Sequence, residues 1–347
     1  MVVIIGAGLS GLLTAYRLKQ EGIPFKFLEA RDRIGGRIHT VLEADKTPTE
    51  MGATWFNEQH YNLVALLQEL EIGAFEQYID GSVFYQREAN SPTEKIQIPK
   101  QSPSYRIIGG TSNLIKTLYQ KLGQDEVLLN QAVTSIRFKD DKIQVIAQDI
   151  FEADKVVLAI PPKLWAKKIR FEPALPEDLI TIAKQTHTWM EDSIKIALCF
   201  DTPFWQEEKI PATLFSNVGP ITEFYDHCNY ERSKFALCGF MNSSLKSLAA
   251  AERKAIVLNQ LKEVFGPKVL DYIAYEEFIW SKEEFTFEAS EQLLYPHQNN
   301  GNPIFSNDFF DGKLLISSAE SAKESPGYMD GAVYAGNLTA TKIIETL

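Results

Sequence analysis

The chain has 347 residues, 45% of them hydrophobic and 23% charged, a globular composition large enough for about two domains and a core that needs no disulfides. Asp and Glu (46) outnumber Lys and Arg (35), and the net charge of −11 withholds the positive footprint a phosphate backbone requires, which argues against nucleic acid as a partner. No apolar run approaches the ~20 residues of a helical membrane span, so none is expected.

In chain order, Met1-Val2-Val3-Ile4-Ile5 is a continuous apolar run ended by Gly6, the pattern of a strand buried on both faces of a parallel sheet. Leu9, Leu12, Leu13 and Tyr16 recur at helical spacing, so residues 9–20 form a helix, broken by Gly22-Ile23-Pro24 before a second strand, Phe25-Lys26-Phe27-Leu28. This βαβ unit of about 30 residues has the length of a nucleotide-binding motif. Helical patterns return at 63–70, 112–122 and 249–265, and residues 134–138 and 143–146 alternate across Lys139-Asp140-Asp141-Lys142 as a hairpin. Residues 156–160, stopped by Pro161-Pro162, and 313–317 repeat the doubly buried strand type, and 331–347 closes the chain as a helix. Strands of the parallel type therefore sit at both ends and in the middle, which points to interleaved domains.

Cys199, Cys228 and Cys238 form no C-x-x-C pair, and His39, His60, His187, His227 and His297 are scattered, so neither a disulfide framework nor a metal site is expected. With no basic stretch ahead of the first strand to mark a signal peptide, a reducing, cytoplasmic setting is expected.

Gly6-Ala7-Gly8-Leu9-Ser10-Gly11 joins the first strand to the first helix. Gly6 permits the tight turn, Gly8 lets backbone approach a pyrophosphate, and Gly11 lets the helix pack close to the strand, while the helix N-terminus attracts phosphate charge. Glu29 lies 18 residues past Gly11 at the end of the second strand, near the spacing of a ribose-hydroxyl acceptor. These features specify a dinucleotide without separating NAD from FAD.

Leu28-Glu29-Ala30-Arg31-Asp32-Arg33-Ile34-Gly35-Gly36-Arg37 resembles the fingerprint of the flavin-containing amine oxidase superfamily, and the likeness extends through most of the chain. It implies FAD, held by Gly6, Gly8, Gly11, Glu29, Arg31, Gly35, Gly36 and Arg37, with Arg33 and Arg37 supplying positive charge for phosphate or ribose. Glu50-Met51-Gly52-Ala53-Thr54-Trp55 resembles the family segment beneath the flavin, which places Gly52, Ala53, Thr54 and Trp55 there. Residues 107–114 resemble its return into the cofactor domain, and Val133 sits where its adenine-side strand lies. Ser318-Ala319-Glu320 and Ser325-Pro326-Gly327-Tyr328-Met329-Asp330-Gly331-Ala332 resemble its flavin-closing motif. There Glu320 would reach the ribityl or phosphate region, and backbone amides near Met329 would face the flavin's pyrimidine edge.

The implied fold class is α/β: a Rossmann-like FAD-binding domain of glutathione-reductase type (1–73, 104–170 and 285–347) with an interleaved, reduced α+β substrate domain (74–103 and 171–284). For the chemistry, the resemblance gives Lys195, within Ser193-Ile194-Lys195-Ile196-Ala197-Leu198-Cys199-Phe200, the task of holding a water against flavin N5. The strand pattern alone leaves its face either solvated or cavity-lining. Tyr328 would be one wall of an aromatic cage around an amine. Aligned from Trp280, the second wall falls on Ser290, with Ala289 before it, so that wall is missing unless Tyr295 or Phe287 replaces it, and no cysteine stands nearby to bind flavin covalently. FAD is thus expected non-covalent. Only about thirty residues separate Gly73 from Tyr105, where larger amine oxidases carry a long helical insert. That leaves a pocket that is smaller, more open, or completed by a partner chain, for instance in a homodimer. The expected activity is hydride transfer from a C–H next to an amine nitrogen to flavin N5, with dioxygen as acceptor. The alternatives are a desaturase, a porphyrinogen-type or dihydronicotinamide-oxidising flavoenzyme, or a flavin-binding protein without net turnover.

Overall fold

The computed structural model describes residues 1–42, 47–79, 81–123, 126–139 and 142–346; Asp140 and Asp141 of the expected hairpin turn and Leu347 of the expected last helix lie outside them. Five short strands form an all-parallel sheet in the order Leu314–Ile316, Lys155–Leu158, Val2–Ile5, Phe25–Leu28, Val127–Leu128. Val2–Ile5 is buried along its whole length because it has a strand on each side and a packed layer on each face. From this strand the chain pairs outward in both directions, to Phe25–Leu28 on one side and Lys155–Leu158 on the other. A crevice is thereby left at the carboxyl ends of the strands, the position at which open α/β sheets take ligands.

One face of the sheet carries Leu9–Gln20, Ser112–Leu122 and the last helix, Met329–Glu345. The other carries a four-stranded sheet (Ile150–Ala153, Lys142–Ile146, Ser135–Lys139, Arg170–Glu172) and the helices Pro162–Lys168 and Glu177–Lys184, packed around Trp165, Phe171 and Leu179. Apolar residues of the stretch 171–184 therefore share a core with the parallel sheet. Phe171, Leu175, Leu179 and Ala183 are the buried side chains that draw this stretch across.

The remaining chain builds a seven-stranded sheet in the order Ala274–Ile279, Ile194–Phe200, Phe235–Met241, Ile221–Asp226, Leu214–Ser216, Ser82–Gln86, Glu94–Gln97. Ala250–Phe265 covers one face, burying Ile194, Ile196 and Leu198 against Val257 and Leu261. Because side chains alternate along a strand, Lys195 and Ala197 point to the opposite face, toward the crevice. Most of this sheet escapes the periodicity reading; only its Lys195 strand is expected. Among the described residues no helix is long and apolar enough to cross a membrane.

Candidate active site

Between the parallel sheet and the seven-stranded sheet lies a cleft of ≈ 850 Å³. Its floor begins at the first turn. Gly6 sits at φ +103°, where a side chain would strain, and a Cβ there would lie 2.8 Å from Ala159 O. A Cβ on Gly11 would lie 2.2 Å from Gly6 O, so helix and turn meet only through glycine. Gly8, at the start of Leu9–Gln20, has open space where its Cβ would be and no side chain caps the helix, which leaves backbone N–H groups free to meet an anion. The second glycine turn is stitched to the first by Gly35 N donating to Ala7 O at 2.8 Å.

Glu29 is buried, and its carboxylate accepts from Ala7 N (2.8 Å) and Arg31 N (3.0 Å), fixed with lone pairs to spare for a diol at the cleft wall. Val133 also lines this end, but from an irregular stretch ahead of Ser135–Lys139. The strand expected there is Val127–Leu128, extended beside residues 29–31 by Gln131 N donating to Glu29 O (2.8 Å). The open cradle at Gly8 and the anchored carboxylate fit a dinucleotide.

Arg37 lines the cleft and is paired with Glu320 (2.6 Å), while Nη1 also donates to Trp189 O (3.2 Å). Glu320 itself is fully buried and off the cleft wall. Its carboxylate holds Arg37 in place. Arg33 lies close by in the sequence. Its guanidinium donates to Gly36 O (3.0 Å) and lies 4.0 Å from Glu283, so it braces the glycine turn.

At the deep end, Gly52, Ala53, Thr54 and Trp55 line the cleft, delivered by the strand Pro48–Glu50. A Cβ on Gly52 would lie 2.1 Å from Arg37 O, so glycine alone lets the two segments touch. Lys195 is 2% exposed, donates to Thr54 Oγ1 at 2.9 Å, and has its ammonium 4.6 Å from the Trp55 ring and 4.5 Å from the Phe240 ring. Its face is thus cavity-lining. Burial holds the Lys195 ammonium below its usual range, against the upward pull of Cys238, Glu50 and Glu223. Glu50, bonded by Thr111 N at 2.6 Å, is pushed up by its own burial.

Tyr328, Met329 and Ala332 bring the amino end of the last helix to the cleft. The Tyr328 ring lies 5.4 Å from His297, 5.8 Å from Trp189 and 5.7 Å from His60. Ser290 is elsewhere, accepting from Lys163 Nζ at 3.3 Å. Tyr295 is 71% exposed and Phe287 lies over Lys163, so neither substitute reaches the cleft. Trp189 lines the cleft beside Tyr328 and stacks on His297 at 4.0 Å. Burial lowers the pKa of His60, His187 and His297, which favours neutral rings at this wall.

Sequence reading also missed Glu223, Tyr225 and Phe240, which line the cleft from the seven-stranded sheet. Tyr225 OH donates to Glu223 at 2.7 Å, and burial together with Glu223 pushes the phenol up. Among the described residues the three cysteines are buried and in no disulfide, and none lines the cleft.

The family model for flavin containing amine oxidoreductases matches residues 9–103 and 98–344. A probable flavin-containing monoamine oxidase A of Dictyostelium discoideum is 24% identical over 457 aligned positions, covering 100% of this chain and 98% of its own. Putrescine oxidase of Kocuria rosea is 23% identical, with 99% and 95% covered. A solved putrescine oxidase bound to putrescine superposes with a TM-score of 0.85 at 24% identity over 99% of this chain and 98% of that one. A cyclohexylamine oxidase from Brevibacterium oxydans gives 0.86 at 20% identity, with 99% and 98% covered. These alignments run nearly the full length of longer relatives, so the shortening is internal.

Proposed function

Because the chain belongs to the flavin containing amine oxidoreductase family, we propose that its cleft holds FAD non-covalently and oxidises a small amine, with dioxygen as acceptor. Bound FAD supplies the two-electron acceptor for the C–H next to nitrogen. The protein's own contribution starts with binding. Gly6, Gly8 and the amino end of Leu9–Gln20 meet the pyrophosphate, Glu29 takes the ribose hydroxyls, and Arg37, steadied by Glu320, adds positive charge.

The observation that carries the proposal is Lys195. A buried amine bonded to Thr54 and walled by Trp55 and Phe240 stands where the segment 52–55 meets the seven-stranded sheet. With its ammonium disfavoured, Nζ can hold a water or take up a proton close to the reacting centre. Glu223 supports an amine substrate, since a carboxylate on this wall attracts a cation, and Tyr328 with Trp189 offers it aromatic faces. The carbon–carbon desaturation and dihydronicotinamide readings have no comparable observation in their favour. Residence in the cytoplasm, where free thiols persist, belongs to the same proposal, as does a division of the chain into cofactor and substrate halves along the two large sheets.

The test is direct. Purified protein should be yellow and should bleach anaerobically with at least one of benzylamine, 1,4-diaminobutane and cyclohexylamine. A colourless protein that takes up no added FAD, or a flavin that no amine reduces, overturns the reading.

A further inference from the structure

One wall of the cleft at the Glu29 end is not supplied by the parallel sheet. Beyond the helical turn Trp280–Lys282, residues Glu284, Phe285 and Thr286 line the same space as Glu29 and Val133. Among the described residues this segment, 283–290, belongs to neither a strand nor a helix. Within it, Thr286 N and Phe287 N both donate to Glu283 O (2.9 and 2.8 Å), closing a turn that carries Phe285.

Its ties to other elements run through five cations, among them Arg33, 4.0 Å from Glu283. Arg31, whose backbone N–H anchors Glu29, donates from Nε to Glu283 (3.1 Å) and from Nη2 to Thr286 Oγ1 (2.6 Å). From the helix Pro162–Lys168, Lys168 Nζ donates to Glu284 O (2.9 Å), and Lys167 Nζ donates to Ala289 O and lies 3.7 Å from Glu288. Lys163 Nζ reaches Ser290 Oγ. The Phe285 ring is braced between two of these charges, 5.8 Å from Arg31 Cζ and 5.8 Å from Lys168 Nζ.

We propose that residues 283–290 form a charge-latched strap over the adenosine half of FAD, with Phe285 as the adenine-facing side chain, and that opening of the strap sets the rate at which the cofactor leaves. The proposal rests on the FAD reading. An adenine ring offers a flat π surface, and an aromatic ring beside a ribose acceptor is a surface on which it can stack. Partly exposed ion pairs are individually weak and screened by salt, so a strap held this way opens more readily than a sheet-bound strand, and more readily still as salt rises.

Release of FAD from diluted holoenzyme, followed as the regain of free-flavin fluorescence, tests this at low and at high sodium chloride. Wild type should release faster at high salt. The variant K167A/K168A should release about tenfold faster at low salt and show a weaker salt dependence, since the weak lysine pairs are removed while Arg31 still holds Glu283. F285A should also accelerate release and F285Y should not. The variant K167R/K168R, which keeps both cationic donors, should release as slowly as wild type, a result that a misfolded chain would not produce. Release from K167A/K168A at the wild-type rate at both salt concentrations overturns the strap while leaving the FAD reading intact. A protein that never binds FAD overturns the FAD reading itself.

Discussion

Lys195 answers to two opposed demands. Its strand buries it, which penalises the ammonium, while Thr54 Oγ1 and the faces of Trp55 and Phe240 favour the charge. Burial prevails and lowers its pKa. Between that lowered value and the ordinary lysine value of about 10.4 the unfolded chain binds more protons than the native one, so Lys195 makes native stability rise with pH across that window. Below the window both states carry the proton and the penalty is felt in full. Thermal melts of apoprotein from about pH 7 to 10 should therefore show a rising component in wild type that Lys195→Met lacks. The variant should melt higher at neutral pH, yet the holoenzyme should turn over about 10²-fold more slowly for want of the donor. Parallel melting curves would remove the claim that this lysine is under strain from desolvation. The same residue shows what was legible. Its flanking isoleucines announced a strand, but only the opposing sheet faces decide that the lysine points inward. Trp189 gave no signal at all, because it reaches Tyr328 from an irregular stretch and periodicity says nothing about such a stretch.

At the scale of elements, the strand–turn–helix unit Val2–Ile5, Gly6 to Gly8 and Leu9–Gln20 separates stability from binding. Gly11→Ala places a methyl 2.2 Å from Gly6 O and should destabilise the apoprotein by about 1–3 kcal/mol, as overpacking does. Gly8→Ala meets open space and an ordinary φ of −78°, so its apoprotein should melt within about 0.5 kcal/mol of wild type while FAD binding collapses. Melting and fluorescence titration of the two variants separate these outcomes. A Gly8→Ala protein that binds FAD normally would place the pyrophosphate elsewhere. This unit was readable because continuous apolar strands and glycine spacing are local signals. The seven-stranded sheet was not. Ile221–Asp226 carries Glu223 and Tyr225 toward the cleft, Leu214–Ser216 has three residues, and Ala274–Ile279 is half-buried throughout, so the residues that serve the site blur the alternation a strand needs.

For the whole molecule, the cleft is a joint between two sheets, and whatever fills it binds the native arrangement and not the unfolded chain. FAD at about a hundred times its dissociation constant should add about 2.7 kcal/mol of stability, read as a melting temperature that climbs with added FAD. A melting temperature indifferent to FAD would mean that the cleft does not hold it. The short segment between Gly73 and Tyr105 contributes two of the seven strands, Ser82–Gln86 and Glu94–Gln97.

The parallel sheet draws its strands from residues 2–5, 25–28, 127–128, 155–158 and 314–316, and the first helix packs on the last, Met329–Glu345. Contacts of such sequence separation are slow to form, because a long loop must be closed before any of them is rewarded. The opening βαβ unit has every local instruction it needs within thirty residues, yet its flanking layer is supplied some three hundred residues later. During folding, the turn that grips the pyrophosphate is among the first parts of the chain to be available and among the last to be enclosed.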